Sequence, residues 1–170
     1  MSLLVSLQLA LYALLWGAGY VALKEERPAI LQWLGYALAS ATATALLAWR
    51  PDGPVWLTHT GSSAATLLSL VLGGRGVVRF LGLVPNDRLF MAVGCIAVAG
   101  LGWIGPYEAA PRVALATALN IVVLMAVFLQ TRKRFIAEFG PRIAVLAAFP
   151  TLALVCMNLY FLAQGLMRGS

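Results

Sequence analysis

The chain has 170 residues, 62% of them hydrophobic and only 11% charged, with a mean hydropathy of +0.90. Soluble domains run near half apolar and a quarter charged, so this composition excludes a water-soluble fold that hides its apolar surface. Twelve Lys and Arg against six Asp and Glu give +6, but the charges sit singly or in short clusters between apolar runs, which excludes the single basic patch of a nucleic-acid binder.

Six apolar runs predict six transmembrane helices, because a hydrocarbon core about 30 Å thick takes about 20 residues per helical crossing. The first covers 2–23. It has no basic region before it and meets its first charge at Lys24, so it reads as a retained span rather than a targeting peptide. Lys24-Glu25-Glu26-Arg27-Pro28 closes it, with a proline suited to starting the next helix.

The second run covers 29–49. Gly35, Ala39 and Ala43 repeat every four residues, as do Ala37, Ala41 and Ala45, giving two small-residue faces suited to close helix packing within the bundle or in a homodimer. Arg50-Pro51-Asp52-Gly53-Pro54 ends it, since two prolines and a glycine cannot continue a helix.

The third run, 55–78, opens with Trp56, His59 and several hydroxyl residues and closes with Gly73-Gly74-Arg75-Gly76 before Arg79. After Pro85-Asn86-Asp87-Arg88 comes the fourth, 89–104, short enough to need little tilt, ending at Gly105-Pro106. The fifth is 113–129 and the sixth 143–167. Between them the basic segment 130–142 is expected to be the fifth loop, with Phe135, Ile136 and Phe139 among its charges suiting a short segment lying on an anionic leaflet. Pro150 is the expected bend in the sixth helix. The runs are continuous rather than alternating, which excludes a membrane β-barrel and leaves one all-α integral membrane bundle spanning 1–170.

Loop charge predicts orientation. Lys24, Arg27, Arg75, Arg79, Arg88, Arg132, Lys133, Arg134 and Arg142 put nine of the twelve basic residues on loops 1, 3 and 5, which are therefore expected to be cytoplasmic, with the N-terminus outside. Trp49, Trp56, Trp103 and Tyr107 border the even loops, at the expected outer headgroup level.

Chemistry-bearing residues are sparse. His59 is the sole histidine, so it is a headgroup-level polar residue, an outer-side ligand contact or a lone proton sensor. Arg75 and Arg79, one helical turn apart, suit a lipid phosphate or another anion, as do Arg132, Lys133 and Arg134. The carboxylates Glu25, Glu26, Asp52, Asp87, Glu108 and Glu138 all fall in loops or at helix ends, which argues against ion-coupled transport and acid–base catalysis in the bilayer. Cys95 and Cys156 lack a second ligand at metal spacing, so no metal or cofactor is expected. Gln8, Thr42, Thr44, Thr66, Ser69, Thr117, Asn120, Thr151 and Asn158 read as polar glue between helices, with Asn120 and Asn158 as a candidate small-ligand pair.

Three stretches carry a family resemblance. Pro54-Val55-Trp56-Leu57 leads into a long helix ending Gly76-Val77-Val78-Arg79-Phe80-Leu81-Gly82; Arg112-Val113-Ala114-Leu115 opens the fifth span; Thr131-Arg132-Lys133-Arg134 precedes the sixth. The layout resembles the multi-span N-terminal membrane region of bacterial diguanylate cyclases, whose cytoplasmic output is a GGDEF domain. The resemblance implies a sensory or anchoring module of the bacterial inner membrane, with membrane lipids and a cytoplasmic output domain as partners. No Gly-Gly-Asp/Glu-Glu-Phe signature occurs in the chain, so it is not expected to be an enzyme itself. An outward C-terminus would need one more span to reach such a domain, and Arg168-Gly169-Ser170 would suit an engineered junction. The alternative function is a small transporter or channel for a neutral or hydrophobic solute.

Overall fold

The structure, a computed structural model, describes residues 2–24 and 26–168; Glu25 of the first charged turn and the terminal Gly169 and Ser170 lie outside them. The described residues form helices joined by short turns: α1 Ser2–Ala22, α2 Arg27–Ala48, a π-helical turn Leu57–Gly61 running into α3 Ser62–Phe80, α4 Asp87–Ile104 and α5 Ala109–Arg168. Among the described residues, four stretches are long and apolar enough to cross a membrane: Arg27–Ala48, Leu57–Phe80, Asp87–Ile104 and Ala109–Leu146.

Helix ends follow the local chemistry. Pro28 sits in the first turn of α2, where its missing N–H costs nothing. The Asn86 side chain accepts from the Leu89 N–H at 3.3 Å and caps α4, with Asp87 favourably placed in the first turn. At the other end of α4, Gly105-Pro106 stops the helix.

α5 corrects the expected fifth loop. Its first part is helical without interruption from 109 to 139, through residues 130–139 of the basic segment expected to be a connection or a separate surface element. Polarity ends a crossing, but Arg, Lys, Glu and Ala are good helix formers, and nothing in 130–139 breaks a backbone ladder. The break falls at Gly140, with φ 80° and ψ 163°, immediately before Pro141, while helix continues through residue 150. That backbone conformation is essentially confined to glycine. Residues at matching distances on either side of Gly140 line the same cavity, Phe135 with Val145 and Arg132 with Ala148, so the chain folds back on itself there.

α2 lies between α1 and α3, and α5 packs on α3 and α4. The central cluster joins Leu67 of α3, Phe90, Val93, Ala97 and Leu101 of α4, and Leu119 and Val123 of α5. The small faces of α2 are used inside the chain: Ala37, Ala39 and Ala43 are buried, and a Cβ at Gly35 would lie 3.0 Å from Leu72 of α3. Gly74 and Gly76 make α3 equally thin, because a Cβ would collide with Val127 of α5 at the first and the Trp33 indole at the second. These glycines serve close helix approach. Large apolar side chains such as Leu14, Val98 and Phe149 point outward, each more than 70% exposed, as bilayer-facing residues do.

Contacts sort the turns into two ends. Trp33, in the second turn of α2, packs on Trp16 and on Phe80 at the end of α3, with ring centroids 4.7 and 5.5 Å apart. The Gln130 amide donates to the Val84 carbonyl at 2.6 Å. The turns after α1 and α3 and the basic part of α5 therefore share one end, the basic end. The turns after α2 and α4 share the other, where the aromatic residues lie.

Candidate functional site

At the aromatic end, the turn after α2 hands the chain to Pro54, whose carbonyl accepts the Thr58 N–H and, through its hydroxyl, the Thr58 side chain. A π-helical turn follows, a distortion that frequently marks functional positions because it re-aims side chains out of helical register. His59 is carried on it. Arg112, in the first turns of α5, is 3% exposed; its guanidinium donates to the Pro106 carbonyl and meets His59 Nδ1 at 3.2 Å.

A guanidinium only donates, so Nδ1 must accept, which fixes a neutral ring with its proton on Nε2. Thr58, Thr60 and Ser62 are buried beside this pair, and the Thr60 hydroxyl has no hydrogen-bond partner. Arg50 adds a second positive charge felt by both residues. Among the described residues no carboxylate pairs with Arg112. His59 was legible as the lone histidine; Arg112 was missed, its one signal being a charge between Pro111 and the next apolar run.

At the basic end, Arg75 pairs with Asp87 at 3.1 Å, joining α3 to the start of α4, and its buried Nε has no partner. Arg75 thus has a protein counter-ion. Arg134 pairs with Glu138 at 2.7 Å along α5, whereas Arg132 and Lys133 are exposed.

The fold-back of α5 encloses a cavity of about 460 Å³ between its two parts and Val77 of α3, with Arg132 and Ile136 on one wall and Ala144, Val145 and Ala148 on the other. A second cavity of about 290 Å³ shares Val77, Val127 and Thr151 with it and extends to Trp33 and Tyr36 of α2. Neither Asn120 nor Asn158 lines these two cavities. Asn158 donates to the Leu154 carbonyl of its own helix, and the Asn120 Oδ1 is buried without a partner.

The neutral polar residues also differ from the expected glue. Thr42, Thr44 and Thr66 donate to the carbonyl four residues back, and Ser69 to the one three back. Their hydroxyls are satisfied locally, which lets them sit in an apolar setting without choosing a partner helix.

The apolar, multi-helical chain with polar knots at both ends is of a kind compatible with a multi-pass membrane protein. No protein-family model, no curated protein and no solved structure matches it.

Proposed function

We propose that the chain is a membrane-embedded sensory or anchoring module of a bacterial signalling protein, crossing the inner membrane six times with the N-terminus outside and the basic end in the cytoplasm. The observation that carries this reading is the contact of the buried Arg112 with the half-buried His59 at one end of the bundle. It sits on two helices, α3 and the 109–139 part of α5, that run to the basic end and pack together on the way. A change in that contact would be felt at the far end through rigid rods rather than loops. The charge layout and the resemblance to membrane regions that precede GGDEF domains support the same reading. Lipids, a second copy and a cytoplasmic output domain are its proposed partners.

The test uses full-length protein in liposomes, with spin labels at Lys133 and Arg88 reporting the basic end. Acidifying the outer face from about pH 7 to 5 should change the label separation, and His59→Gln should remove the change. An unchanged separation in the parent protein overturns sensing through this contact. A second reading, a carrier of neutral or hydrophobic solutes, is favoured by the apolar cleft beneath α5; solute flux through the same liposomes would establish it in place of the first.

A further inference from the structure

We infer that the cleft in the fold-back of α5 is a binding site for one acyl chain of an anionic phospholipid, with Arg132 holding the headgroup phosphate. This goes beyond the sensory reading and does not depend on it.

The cleft is built for hydrocarbon. Of its lining side chains only Thr131, Arg132 and Thr151 are polar, and the Thr131 hydroxyl is already committed to the Val127 carbonyl at 2.8 Å. A compact polar solute would find almost nothing to bond in its interior, and a buried polar group without a partner is costly. About 460 Å³ falls in the range of sites that engulf a small ligand. The adjoining 290 Å³ space shares Val77, Val127 and Thr151 with it and is lined farther on by Trp33 and Tyr36, which leaves room beside the cleft for a flexible chain to extend.

The cleft also opens in the right direction. Ile136 and Val145 line it, yet they are 48% and 71% exposed, so its wall is broken on the outward, apolar surface of the bundle. A lipid chain could enter sideways without leaving the bilayer. Charge sets the preference among lipids. Arg132 is exposed at the rim and, among the described residues, has no carboxylate partner, while Arg75 and Arg134 are already neutralised by Asp87 and Glu138. A phosphate with net negative charge would complete the arginine; a zwitterionic headgroup brings its own cation and does so less well.

The experiment is native mass spectrometry of the full chain in detergent, with equimolar phosphatidylglycerol and phosphatidylcholine of identical chains. The parent protein should retain one phosphatidylglycerol in preference. Arg132→Gln should lower the ratio of the two retained lipids about fivefold, Arg132→Lys should largely keep it, and Lys133→Gln, off the cleft, should leave it unchanged. Ala148→Trp, which fills the cleft, should reduce retention of both lipids, with circular dichroism and gel filtration showing that the variant is folded. Equal retention of the two lipids by the parent overturns the proposal. So does an equal effect of Arg132→Gln and Lys133→Gln, which would mean diffuse attraction to a basic surface. Retention of free oleate but not phosphatidylglycerol overturns the phospholipid as the occupant.

Discussion

Arg112 Nη2 and His59 Nδ1, 53 residues apart in the chain, meet at 3.2 Å and tie the start of α5 to the π-helical turn before α3. The contact is between a permanent cation and a group that can become one, so it exists only while the ring is neutral.

Protonating His59 turns Nδ1 from acceptor to donor, facing Arg112 with Arg50 nearby. The contact is present at higher pH and lost as the ring gains its proton. Amide exchange in 105–112 should quicken on acidification in the parent protein. In His59→Gln, whose amide oxygen can accept at every pH, exchange should be insensitive to that change.

Arg112→Ala should remove the donor to the Pro106 carbonyl and leave His59 facing a void, lowering stability in detergent by about 1–3 kcal/mol. Arg112→Lys should recover only part of that, because an ammonium cannot present the guanidinium's planar fork to two acceptors at once. Equal melting temperatures for Arg112→Lys and the parent would contradict a role for the fork.

Glycine substitutions in α3 and α4 should have opposite signs. Gly76→Ala drives a methyl into the Trp33 ring between α2 and α3 and should cost about 1–3 kcal/mol. Gly94→Ala, in mid-helix with nothing within 4 Å, should raise stability by about 0.5–1 kcal/mol through helix propensity alone. Thermal unfolding of the two variants side by side checks the pair.

At the basic end, Asn86→Ala should cost about 1 kcal/mol by uncapping α4. Asp87→Asn, which breaks the Arg75 pair, should cost under about 1 kcal/mol, since the carboxylate is half exposed and solvent screens it. The order of the two melting shifts, larger for the cap, is the measurable outcome.

What could be read from residue order was whatever proline and glycine punctuate. α1, α2 and α4 start and stop close to the expected runs because Pro28, Pro51 and Gly105-Pro106 interrupt the backbone as well as the hydropathy. The extension of α5 to residue 139 was not legible, because charged helix formers end a greasy stretch without ending a helix. The burial of Arg112 was hidden for a related reason: an arginine at the edge of an apolar run looks the same whether it faces a headgroup or a histidine from another helix. The threonines misled as well, since a hydroxyl that can bond its own turn carries no information about neighbouring helices.

Gly140 gives this chain a switch of parity. Residues 141–151 run back along the first part of α5 and past Val77 of α3 because one glycine adopts φ 80°. Were that residue helical, residues 141–168 would run straight on from 139 rather than back. The direction that residues 141–168 take from the basic end is thus written in a single pair of dihedral angles, and a side chain at position 140 would be enough to put it in dispute.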